Sequence, residues 1–196
     1  MFVLTVDQRG SRRDVDRVAP LLDEFAAAEL VRPFERTAGD EVQAVTDDAA
    51  LALDLALDLA ARGQWSVGIG VGPVETPLPP STRAGRGPAF EAARIAVERA
   101  KNLPGAVSVQ GPERSDDRRA ADAEAAVMLL TLLVSRRSDA GRSAVAAMRD
   151  GLTQAEAAER LGISKQAVSQ RLSVAGWQAE AAGRRLAERL LEDADR

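Results

Sequence analysis

GLTQAEAAERLGISKQAVSQRL, residues 151–172, reads as two short helices joined by a tight turn. The hydroxyl of Thr153 can cap the first helix, and Glu156, three residues on, is placed as the reciprocal partner of a capping box. Ala157, Ala158 and Leu161 fall on one apolar face, and Ala158 is small enough to let a second helix approach closely. Gly162 supplies the left-handed residue that ends the helix, and Ile163 fills the corner. Ser164 then caps a second helix in which Ala167, Val168 and Leu172 recur inward. That spacing leaves Lys165, Gln166, Ser169, Gln170 and Arg171 outside.

Cap, small residue, turn glycine and inward valine, in this order, make a helix-turn-helix signature. The stretch resembles the helix-turn-helix of bacterial repressors and of sigma-factor DNA-binding regions. The resemblance implies that the second helix lies in a DNA major groove, with Ser164, Lys165, Gln166, Ser169, Gln170 and Arg171 as its contacts. The chemistry suits that role. Glutamine pairs in bidentate fashion with adenine, Lys and Arg reach guanine or phosphate, and Ser serves either purpose. The plainer alternative is a helical hairpin with a solvated polar face.

The bulk composition sets limits on everything else. A chain of 196 residues that is 45% hydrophobic can bury a real core, and it suits two small domains. There is no Cys and no His, which excludes disulfides, thiolate chemistry and imidazole general bases, so any chemistry must run on carboxylates. No run of about 18 consecutive apolar residues occurs. The start, MFVLTVDQRG, has no basic region followed by an apolar signal core. The expectation is a cytoplasmic protein with no membrane partner. The net charge of −4 is uneven: residues 1 to 112 hold 12 basic and 16 acidic side chains, whereas residues 142 to 189 hold 8 basic and 5 acidic. Phosphate neutralisation dominates DNA affinity, so a single weakly basic copy should bind weakly and with strong salt dependence, and a homodimer would double the contacts.

From the N-terminus, Phe2 to Val6 (FVLTV) is an apolar, β-branched run ending at Asp7, as expected of a buried strand with a carboxylate at its end. Val15, Val18, Leu21, Leu22 and Phe25 predict a helix from about Asp14 to Leu30, with Pro20 marking a start or kink and Pro33 closing it. Phe34 to Thr37 and Val42 to Thr46 read as strands around a hairpin, Ala38-Gly39-Asp40-Glu41, with an acidic tip. Ala49 to Arg62 reads as a helix, Trp65 to Val71 (WSVGIGV) as a strand, Pro73 to Gly87 as a loop, Pro88 to Lys101 as a helix and Val107 to Gln110 as a last strand. The order β-α-β-β-α-β-α-β predicts an α+β domain. It corresponds to a ferredoxin-like unit with an added helix and strand, its helices layered on a mainly antiparallel sheet. Gly68 and Gly70 sit inside a strand, so they are expected to admit a helix at close range and not to cradle a dinucleotide.

That order and four motifs resemble the catalytic domains of class III nucleotide cyclases and of the diguanylate cyclases named for their GGDEF hairpin. Asp7-Gln8-Arg9-Gly10 is similar to the metal-binding Asp and phosphate-facing turn after the first cyclase strand. Arg36-Thr37-Ala38-Gly39-Asp40-Glu41-Val42 is similar to the hairpin, Gly68 to Gly72 to the following strand, and Gly87 to Arg94 to the helix carrying a transition-state Asn and Arg. The N-terminal part also resembles the SatD group of small bacterial proteins. The resemblance implies a nucleotide site at Asp7, Gln8, Arg9, Gly10, Arg36, Gly39, Asp40, Glu41 and Arg94, with Asp7 and Asp40 holding Mg²⁺ against the phosphates. Arg36 falls where adenylyl cyclases place a base-selecting Lys. Two positions depart from the pattern: Phe90 stands where the cyclase Asn would be, and Ala38 replaces a Gly.

Between these regions, Ser115-Asp116-Asp117 can cap a helix from Ala120 to about Ser135 whose centre, AVMLLTLLV, is apolar almost all round; a helix from about Arg142 to Arg149 follows. Trp177, Ala181, Leu186, Leu190 and Leu191 mark an amphipathic C-terminal helix. The expected organisation is a cyclase-like ligand-sensing domain over 1–112, a helical linker and dimerisation region over 113–150, and an all-α DNA-binding domain over 151–196. Function is expected to be transcription regulation on double-stranded DNA by a homodimer that senses a nucleotide or cyclic dinucleotide. The alternatives are an active nucleotide cyclase carrying a DNA-binding module, and a ligand-independent adaptor.

Overall fold

The computed structural model describes residues 1–11, 15–112 and 118–196. The chain is α+β, a five-stranded sheet and eight helices among those residues. In chain order these are β1 (Phe2–Gln8), α1 (Val18–Glu24), β2 (Arg32–Ala38), β3 (Glu41–Thr46), α2 (Ala49–Ala61), β4 (Trp65–Val71), α3 (Pro88–Ala100) and β5 (Val107–Gln110). There follow α4 (Arg118–Ser135), α5 (Asp139–Arg149), α6 (Gln154–Leu161), α7 (Lys165–Val174) and α8 (Trp177–Ala194). No helix among the described residues is long and apolar enough to cross a membrane.

The sheet order is β2-β3-β1-β4-β5. The central strand β1 pairs antiparallel with β3 and β4, β2 pairs antiparallel with β3, and β5 alone is parallel to its neighbour, β4. Alternation along the strands divides the side chains between two faces. Phe2, Leu4, Val6, Val67, Ile69 and Val71 turn to one face, where they share a core with α2, α4 and α8. Val3 and Val45 turn to the other, against Ala89, Phe90 and Ala93 of α3. Gly68 and Gly70 make that second contact possible. A Cβ on Gly68 would lie 2.3 Å from the Val97 nitrogen, and one on Gly70 would lie 2.0 Å from the Ala89 oxygen.

Three sequence expectations change. The first helix is shorter than expected, Val18–Glu24, and Leu30 lies beyond it; Val15 is 66% exposed and does not join an apolar face. The expected helix start at Asp14 and the cap at Ser115-Asp116-Asp117 lie outside the described residues. Pro33 does not close a helix but sits inside β2, an edge strand, where a missing N–H is tolerated. In α8 the inward residues include Ala187 and Leu191, both fully buried, whereas Leu186 is turned outward.

The hydrophobic grouping also joins elements distant in sequence. Helices α4 and α8 pack on each other and on α2, so α8 belongs to the sheet core. Helices α5, α6 and α7 form a separate core from Ala144, Val145, Ala147, Ala157, Ala158, Val168 and Leu172. The two cores meet at Glu180, which is 1% exposed. Its carboxylate accepts from Arg137 at 2.6 Å, Arg149 at 2.5 Å and Arg184 at 2.7 Å. Arg137 also donates to the Ala175 carbonyl at 2.9 Å, and Arg184 reaches across to Asp54 of α2. Burial works to raise the Glu180 pKa, but the hydrogen bonds from Arg137 and Arg184 and the Arg149 charge hold it below the ordinary glutamate value.

Candidate functional site

Two surfaces carry the residues singled out in the sequence. The first is a cleft of about 600 Å³ where β1 ends, β4 begins and α3 has just finished, lined by Asp7, Gln8, Arg9, Gly10, Ser11, Asp40, Ser66 and Lys101. Strand register builds it. Asp7 lies opposite Ser66 on β4 and opposite Glu41 on β3, so residues far apart in the chain meet at one end of the sheet. Gly39, in the left-handed region at φ 57, makes the β2–β3 turn that carries Asp40 to the same end. The backbone is secured there by Gln8 N–H donating to the Asp40 carbonyl at 3.3 Å and Arg9 N–H to that of Gln64 at 2.8 Å.

The expected nucleotide residues do not all meet. Asp7, Gln8, Arg9, Gly10 and Asp40 line the cleft, whereas Arg36 and Arg94 do not. Arg36 forks onto both carboxylate oxygens of Asp16, at 2.6 and 2.9 Å, and donates to the Gly39 carbonyl at 3.1 Å. Arg94 is on the exposed side of α3. Glu41 is engaged by the Thr37 hydroxyl. Phe90 is buried with Val3 and Val45, and its ring lies against Gly85.

Sequence reasoning missed three cleft residues, Lys101, Ser66 and Ser11. The Lys101 ammonium donates to Glu98 Oε1 at 2.7 Å and lies 3.3 Å from Asp7 Oδ2. Burial pushes the Asp7 carboxyl above the ordinary aspartate value against the pull of Lys101, with Asp40 and Glu41 adding like charge. Ser66 was legible in principle. It shares the face of Gly68 and Gly70 in an otherwise apolar strand, a polar residue on the side where α3 comes closest.

Of the two carboxylates expected to hold Mg²⁺, Asp7 and Asp40, the first lies beside a protein cation. The Asp7 carboxylate already has a cationic partner in Lys101, and no group of three or more potential metal ligands occurs among the described residues.

The second surface is the outer side of α7. Thr153 caps α6 through its hydroxyl, and Glu156 returns to the Thr153 N–H at 2.7 Å. Gly162 is left-handed at φ 64, and Ile163 N–H donates to the Ala158 carbonyl at 3.0 Å, so the chain turns sharply. Ser164 Oγ then accepts from Ala167 N–H at 3.1 Å and starts α7. Val168 and Leu172 are buried. Ser164, Lys165, Gln166, Ser169 and Gln170 are exposed, with Arg171 half-buried at their flank. Among the described residues, none pairs with the side chains of Lys165, Gln166, Ser169, Gln170 or Arg171.

No protein-family model matches the chain, no curated protein matches it, and no solved structure matches it.

Proposed function

We propose that the chain is a DNA-binding transcription regulator whose sheet unit senses a nucleotide-type ligand. The carrying observation is the α7 face: unpaired amide, hydroxyl and cationic side chains on one side of a helix whose start and inner face are held by a capped left-handed turn and a small core. That is the arrangement a helix-turn-helix needs to read base edges. The strand order and the antiparallel pairing of β1 to β4 support a ferredoxin-like reading of the sheet. The nucleotide reading is supported by the cleft at Asp7, where acidic and basic side chains converge. Cyclase turnover is not part of this function, since Phe90 is packed in the core and offers no amide to a ribose or leaving group.

A homodimer is part of the proposal. Helices α4 and α8 spend their inner faces on each other, yet Leu129 at 67% and Leu186 at 47% exposure remain outside. Two copies would present two α7 faces to a palindromic site and double a modest basic charge.

The test is fluorescence anisotropy on a DNA site selected from a random pool, comparing the wild type with Gln166→Ala and Arg171→Ala. Each substitution is expected to cost about 1–3 kcal/mol of binding. Unchanged affinity in both variants would remove α7 as the reading helix.

A further inference from the structure

Among the described residues, one buried side-chain polar atom has no hydrogen-bond partner. Ser66 is 0% exposed, and its Oγ is the buried side-chain atom without a hydrogen-bond partner among the described residues. Buried hydroxyls are paired in folded proteins because leaving one unpaired forfeits its hydration, so an orphan calls for an external partner. Ser66 is among the residues that line the cleft, with Asp7, Arg9, Asp40 and Lys101.

The surrounding groups limit the partner's chemistry. Lys101 directs its ammonium at Glu98 and Asp7, which leaves one of three N–H donors for a further acceptor. That donor, the Ser66 hydroxyl and the Arg9 guanidinium together suit an oxyanion. Asp7 and Asp40 only accept when ionised, and they suit a pair of hydroxyl donors. A ligand that satisfies both sets carries a phosphate at one end and a diol at the other. The Lys101 ammonium also occupies the place beside Asp7 where a cation would bind, so the charge compensation is already built from protein.

We propose that this cleft binds the phosphorylated ribose of a nucleotide without a metal ion, its phosphate on Lys101, Arg9 and Ser66 Oγ and its 2′,3′-diol on the carboxylates of Asp7 and Asp40. The inference rests on the nucleotide-sensing function above and specifies the ligand's orientation and its independence of Mg²⁺.

Calorimetry on the full chain with AMP and GMP, in EDTA and then in excess Mg²⁺, tests it. The expected result is binding of at least one of the two in EDTA, changed less than about twofold by Mg²⁺. The 2′,3′-dideoxy analogue should bind about tenfold more weakly, and Ser66→Ala and Lys101→Met should each weaken the parent by about tenfold or more, the worth of one lost hydrogen bond to a charged group. The dideoxy comparison needs no altered protein, so it stands even where a variant folds poorly. Binding only with Mg²⁺, equal affinity for the dideoxy analogue, or undiminished affinity in a folded Ser66→Ala overturns the inference and leaves the nucleotide sensor standing. No binding of AMP or GMP in either buffer overturns the inference as well.

Discussion

Two carboxylates of this chain, the buried Glu180 and the half-buried Asp7, lie beside cationic side chains and are shifted in opposite directions. Glu180, where the sheet core meets α5–α7, accepts from three arginines and is held below its ordinary value. Asp7, at the cleft, has Lys101 at 3.3 Å and like charges nearby, and burial holds it above its ordinary value. Desolvation acts on both, and the number and closeness of the donors decides which side wins. Glu180 is therefore a finished joint. Asp7 is less fully compensated, and the neighbouring Ser66 hydroxyl has no partner among the described residues.

The largest expected effect tests the finished half. Glu180→Ala strands Arg137, whose side chain is 5% exposed, and should cost about 3–5 kcal/mol in urea unfolding, as removal of one member of a buried ion pair does. A loss under about 1 kcal/mol would show that the arginines find other partners and would break the comparison.

The pH dependence separates the two carboxylates by sign. Because the folded pKa of Glu180 lies below its reference of 4.5, its contribution is complete above that value and is lost as pH falls through the folded pKa. Asp7 has a raised folded pKa, so its ionised form costs stability at neutral pH, and the cost is relieved as the pH falls. Thermal melts over this acid range should show a shallower decline for Glu180→Gln than for wild type. A steeper decline would contradict the assignment.

The smallest expected change concerns Asp7→Asn. At pH 7 it should leave the Tm unchanged or raise it by about 2–4 °C, the shift that corresponds to about 1 kcal/mol in a chain of this size. A drop of several degrees would mean that Asp7 is as fully compensated as Glu180, and the contrast between joint and cleft would disappear.

Much of the local structure was legible in advance. WSVGIGV forms β4 over the residues expected, and the roles of Gly68 and Gly70 against α3 follow from glycine inside a strand. Thr153, Glu156, Gly162 and Ser164 each adopt the capping or turn role their spacing implied. Less of the candidate site was legible. Asp7 to Gly10 and Asp40 meet as anticipated, but Arg36 is taken by Asp16 and Arg94 faces solvent, since a motif gives sequence order and not the direction in which a long side chain finds its partner.

By itself the sequence determined what depends on neighbours within a few positions: caps, left-handed glycines, strand alternation and the chemistry of the outward α7 face. Only the tertiary structure decided that α8 joins the sheet core, that Glu180 gathers three arginines from separate segments, and that Ser66 and Lys101 complete the cleft at Asp7. The physical reason is range. Hydrogen bonds at helix ends close over three or four residues, whereas burial, charge compensation and an unpaired hydroxyl depend on strand register and helix packing between residues that the chain order keeps far apart.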